Sequence, residues 1–155
     1  MVISSRIRDM PSPSLMNASV KCEYALRAVL DLALAGSSTA GPIRIADIAS
    51  RQQIPQKFLE TILSDLRKRG LLESRRGAEG GYMLARPAET ITVGEVVRAV
   101  EGGRSKDSAE ESGPIEFLWA EVNAAIGAVV DRKSIAELAR QWRERKTQFA
   151  PNWEI

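Results

Sequence analysis

Between Ile45 and Ala85 the chain carries a pattern that few architectures can satisfy. A short helical stretch, IADIASRQQI, runs straight into a second, PQKFLETILSDLRKRG. Two brief alternating runs follow, LLESRR and YMLA, flanking the glycine-rich GAEGG. Pro55 suits the first helical position and Gly70 the end of the second helix. On that helix Phe58, Leu59, Ile62, Leu63 and Leu66 form an apolar stripe, while Lys57, Glu60, Thr61, Ser64, Arg67 and Lys68 fall on the opposite face. The glycines of 77–81 let the hairpin turn adopt φ > 0 or lie flat on a surface. Helix, tight turn, basic helix, hairpin is the order of a helix-turn-helix followed by a wing, an arrangement shaped to enter the grooves of duplex DNA.

Charge points the same way. Over 155 residues the net charge is only +2, so its distribution has to decide. Arg51, Lys57, Arg67, Lys68, Arg69, Arg75 and Arg76 face only Glu60, Asp65 and Glu73 within 51–76, making that segment net +4 and the remainder net −2. One cysteine, Cys22, and no histidine rule out an internal disulfide and remove the usual donors of zinc, haem and cysteine–histidine chemistry. With no apolar run long enough to span a membrane and no signal-peptide core near the start, the expected setting is cytoplasmic, with no membrane partner. No phosphate loop or paired-carboxylate motif argues for an enzyme.

The expected fold is mainly α with one small β-hairpin. Residues 1–18, rich in Ser and Pro, read as a flexible arm, and 19–101 as a winged helix-turn-helix domain. In that domain Ser19 caps a first helix ending at Gly36, Ile43–Ile45 forms a short strand, and Thr92 caps a helix over Val93–Val100. The polar stretch 102–114 reads as a mobile loop. Residues 115–155 hold a long helix and a last one from Ser134. Ile115, Leu118, Trp119, Val122, Ile126 and Val129 recur in heptad fashion, which predicts a homodimer seam, with Trp142, Phe149 and Trp153 available to complete it.

Each candidate site residue has a plainer reading beside its functional one. Arg67, Lys68 and Arg69 complement the C-terminal end of a helix, but beside Arg75 and Arg76 they read as phosphate clamps. Glu60 is a solvated acid or an acceptor for a cytosine amine, and Thr61 a contact for a thymine methyl. Gly77, Gly80, Gly81 and Tyr82 make a hairpin turn or a backbone surface for DNA. Cys22, in the first turn of a helix, is an ordinary thiol or a redox sensor whose pKa the helix N-terminus lowers.

Lys21-Cys22-Glu23-Tyr24-Ala25, the run from Ile45 to Arg86, and Ile91-Thr92-Val93-Gly94-Glu95-Val96 together resemble the Rrf2 family of bacterial transcription regulators. The resemblance is close over 20–101 and one of pattern over 115–142. It implies a winged helix-turn-helix, a long C-terminal helix crossing its mate in a homodimer, and Lys57, Phe58, Glu60, Thr61 and Arg67 lying in the major groove. Arg76, Gly77, Gly81 and Tyr82 would reach the minor groove. Some members hold an iron–sulfur cluster by three cysteines in the loop after the fourth helix; here 102–114 has neither Cys nor His. The expectation is therefore a dimeric repressor of a pseudo-palindromic operator, with no cofactor and with a metabolite or partner protein as effector. The alternatives are a cluster or redox sensor using Asp107, Glu110 or Glu111 with Cys22, and a protein-interaction module with vestigial DNA binding.

Overall fold

A computed structural model describes residues 19–36, 41–101 and 113–148. The expected arm 1–18, residues 102–112 of the expected loop, and Phe149 and Trp153 lie outside the described residues.

The first helix, α1 (Val20–Gly36), sits at the centre, with α2 (Ile45–Gln52), α3 (Gln56–Lys68), α4 (Val93–Glu101) and α6 (Ile135–Gln148) all packed on it. Its start is fixed by Ser19, whose Oγ accepts a hydrogen bond from the Cys22 backbone N–H at 3.1 Å. Small Ala25 and Ala28, beside Val29 and Leu32, are buried along it and let neighbours approach closely. Ile48, Leu59, Ile62, Leu63, Leu66, Leu72, Ile91, Val96 and Ile135 complete one core.

The turn between α2 and α3 is made by Gln53, which takes a left-handed conformation at φ 53° and donates its N–H to the Ala49 carbonyl. Buried Ile54 donates to the same carbonyl at 3.0 Å and pins the turn to the core. Pro55 stands just outside α3 as its N-cap, one residue earlier than the sequence suggests. At the other end Gly70, at φ 77°, turns the chain, and Leu71 N–H closes on Leu66 C=O at 3.1 Å.

The hairpin is shorter than the alternation implies. Strand β1 (Leu72–Arg75) pairs antiparallel with β2 (Gly81–Leu84), and Arg75 stands opposite Gly81. Arg76 therefore leaves the ladder and belongs to the turn, whereas Gly81 joins the strand. The expected strand over Ile43–Ile45 reduces to one residue because α2 already begins at Ile45. Ile43 exchanges both backbone hydrogen bonds with Tyr82, at 2.8 and 2.7 Å.

Thr92 caps α4 as expected, and the cap is reciprocal. Glu95 N–H donates to Thr92 Oγ1 at 3.1 Å and Thr92 N–H to Glu95 Oε2 at 3.0 Å. The long helix α5 (Pro114–Arg132) begins with Pro114 in its first turn. Ser134 caps α6 through the Glu137 N–H at 3.0 Å. Among the described residues, no helix is long and apolar enough to cross a membrane.

Candidate nucleic-acid interface

Helix α3 turns Leu59, Ile62, Leu63 and Leu66 into the core, so Lys57, Glu60, Thr61, Arg67 and Lys68 are necessarily exposed on the other side. Phe58 divides its loyalties. It is 42 % exposed, but its ring meets Tyr24 of α1 edge-on, with centroids 5.8 Å apart. It does not continue the buried stripe, and it fastens the start of α3 to α1.

The wing root and α3 face each other across a groove. Arg67, Arg75, Arg76, Gly77, Gly81 and Tyr82, all named from the sequence, line it together. Lys57, Phe58, Glu60, Thr61 and Lys68 do not; they occupy the outward surface of α3 beside it. Along α3, Glu60 lies one turn after Gln56 and two turns before Arg67, the two groove residues of this helix. Arg67 also reaches the wing, donating from Nη1 to Ser74 Oγ at 3.4 Å.

The turn Arg76–Gly80 closes with Gly80 N–H to Gly77 C=O at 3.0 Å, and Gly77 takes φ 111°. A Cβ on Gly80 would lie 2.3 Å from the Arg75 carbonyl oxygen, and one on Gly81 2.2 Å from that of Ile43. These two glycines are therefore a steric requirement of the wing and of its seam with Ile43.

Charge in the segment is not all available. Arg51 makes a two-pronged pair with buried Asp31, at 3.0 and 2.7 Å, and Gln52 Nε2 donates to the same carboxylate at 2.9 Å. Arg51 thus clamps α2 to α1 and is neutralised. Asp65 of α3 is likewise taken by Lys21, at 2.9 Å. Lys57, Arg67, Lys68, Arg69, Arg75 and Arg76 form no ion pair among the described residues. Sequence reasoning missed Arg44, Gln56 and Ser74, which line the groove too. Arg44 lies outside the basic run, and the Ile43 bridge brings it to the wing.

Cys22 is 1 % exposed. Burial, with Glu101 nearby, pushes its thiol up to about 11, opposite to the lowering expected from a helix N-terminus. The side chain is packed into the core, and its desolvation is the largest cause of the shift.

The α5 residues expected at a seam are uncovered within the chain. Ile115, Leu118, Ile126 and Val129 are exposed, Trp119 and Val122 half-buried, and no residue of α5 is buried. Phe117, 69 % exposed, adds to this surface. The helix is tied to the domain near its end, where Asp131 pairs with Arg98 at 2.8 Å.

Comparison with known proteins gives this geometry a context. A family model described as "Rrf2: Iron-dependent Transcriptional regulator" matches residues 18–141. The HTH-type transcriptional regulator IscR of Klebsiella pneumoniae is 33 % identical over 150 residues, covering 86 % of this chain and 91 % of that protein. The solved structure of T. potens IscR superposes with a TM-score of 0.73 at 33 % identity, over 84 % of this chain and 90 % of that one. CymR of B. subtilis, a global cysteine regulator, superposes with a TM-score of 0.68 at 30 % identity, over 81 % of this chain and 98 % of that one.

Proposed function

The chain belongs to the Rrf2 family of transcriptional regulators, and from that premise we propose that it binds duplex DNA as a homodimer and represses from a pseudo-palindromic operator. One observation supports the DNA-binding part: Gln56 and Arg67 of α3 and the wing root line a single groove, beside the outward face of α3, and its cations have no carboxylate partners among the described residues. In this reading α3 lies in the major groove. Lys57, Phe58, Glu60 and Thr61 approach base edges, and Glu60 accepts from a cytosine N4 amine. Arg67, Lys68 and Arg75 hold phosphates, and Arg76, Gly77, Gly81 and Tyr82 bring the wing to the minor groove.

The uncovered apolar face of α5 supports self-association: Ile115, Leu118, Trp119, Val122, Ile126 and Val129 would pack against the same helix of a second copy. The domain division 19–101 for DNA and 115–155 for the dimer follows from the same reading.

The family description names iron, but the residues here do not fit a cysteine-held cluster. The whole sequence has one cysteine and no histidine, and that cysteine is buried. Among the described residues no three His, Cys, Asp or Glu side chains come together in a way that could hold a metal ion. The effector in this reading is a metabolite or a partner protein.

The test is fluorescence anisotropy on duplex DNA across a salt series. With six phosphates neutralised per dimer, log K falls with log salt at a slope of about −5. The double variant Arg75→Ala/Arg76→Ala flattens that slope. Salt-insensitive binding, or a slope unmoved by the double variant, refutes the assignment. Sedimentation of Ile126→Asp, expected to be monomeric where the parent is dimeric, tests the seam.

A further inference from the structure

We infer that Arg44, at the entry to α2, is a further phosphodiester-binding residue and that it sets the position of the wing. The inference rests on the DNA-binding reading above and adds an anchor that lies outside both the recognition helix and the hairpin.

Three observations carry it. Arg44 Nη2 donates to the backbone carbonyl of Ala78, at the tip of the wing and 34 residues further along the chain. A single bond leaves the other guanidinium donors for a ligand. Next, Arg44 lines the groove between α3 and the wing together with Arg67, Arg75 and Arg76, and no carboxylate lines it with them. None of the four forms an ion pair among the described residues. Four guanidinium groups around one groove repel each other, and an anion between them relieves that repulsion. Because guanidinium donors match two oxygens at once, a phosphodiester suits the groove in shape as well as charge. Finally, Arg44 is exposed and makes no side-chain cap for α2, so neither the core nor the helix accounts for it.

The geometry also orders the parts. The Ile43–Tyr82 bridge brings Arg44 to the wing, and Gln56, at the start of α3, completes the groove's far wall. A backbone phosphate in this seat would lie between the groove read by α3 and the one approached by the wing tip.

The experiment compares wild type, Arg44→Ala, Arg44→Lys and, as a control away from the groove, Arg140→Ala. Duplex affinity is measured across a salt series from about 50 to about 300 mM. Arg44→Ala is expected to weaken binding roughly tenfold and to flatten the salt slope by about 0.9 for each phosphate it no longer neutralises. Arg44→Lys restores most of the slope, because the charge returns, but not the full affinity, because the fork does not. Arg140→Ala leaves both unchanged. If wild type binds duplex steeply with salt and Arg76→Ala flattens the slope while Arg44→Ala changes nothing, this inference falls and the DNA-binding reading stands. If wild type binds no duplex, the parent reading falls with it. Protection of wild type but not Arg44→Ala by millimolar inorganic phosphate, without duplex binding, would make the seat one for free anion and overturn the duplex assignment.

Discussion

Replacing Gly81 by alanine is expected to unfasten the wing, by an amount that follows from the geometry. The new Cβ would stand 2.2 Å from Ile43 O, 2.4 Å from Ile43 C and 2.8 Å from Arg44 N. All three are backbone atoms, so no side chain can rotate away. Gly81 also holds φ 152°, a conformation closed to residues with a Cβ at a cost of about 1–3 kcal/mol. Two outcomes are open to the chain: keep the seam and carry the strain, or swing the wing off Ile43. The second loses the two backbone hydrogen bonds between Ile43 and Tyr82, each contributing about 1 kcal/mol. Either way the loss is about 2 kcal/mol, which lowers the melting midpoint by roughly 4–8 °C. Urea denaturation reads the total, and amide exchange at Ile43 and Tyr82 reads where it falls. Gly36→Ala, with open space around it, serves as the comparison. Should Gly81→Ala unfold within about 0.5 kcal/mol of wild type and keep both amides protected, the steric account of the seam is wrong.

The remaining expectations concern local devices. Gln53→Gly should stabilise by about 0.5 kcal/mol, since glycine takes the left-handed turn without the penalty that glutamine bears, less its greater freedom when unfolded; a lower unfolding midpoint would contradict this. Glu95 is held below the usual carboxylate range, first by the Thr92 N–H and then by Arg86. Its contribution is present above the unfolded value near 4.5 and fades as pH falls through the lowered one, so Glu95→Gln should be destabilised relative to wild type at neutral pH and converge with it at acid pH in paired urea titrations. Cys22, raised to about 11, should resist iodoacetamide at mildly alkaline pH in the folded state, and its burial should cost stability as pH climbs from about 9 toward 11; rapid alkylation without unfolding would place the thiol nearer the surface.

The helix-turn-helix and wing were legible because their signals are local. Apolar spacing placed Leu59, Ile62, Leu63 and Leu66 inside, and Ser19 and Thr92 announced their caps. What escaped depends on pairings distant in sequence. Arg51 looked like one more cation in a basic run until Asp31, twenty residues earlier, proved to neutralise it. Phe58 fitted an inward stripe by spacing alone, but its place is decided by Tyr24 on another helix. Arg44 carried no local signal, because its role depends on a one-residue bridge that no periodicity encodes. The Cys22 thiol shows a competition that sequence cannot weigh: the dipole is local, whereas burial comes from the whole fold.

The exposed α5 has a consequence for the life of the chain. Nineteen residues of helix without one buried side chain have little in their own fold to hold them, and in a protein most of a helix's stability comes from packing its apolar face. Whatever covers this surface stabilises it by mass action, so the helix is best formed where its cover is plentiful and frays where the cover is scarce. Frayed backbone is what proteases cleave. Where the cover is a second copy, as proposed above, the half-life of the chain is tied to its own copy number, and copies too dilute to pair are the first to be cleared.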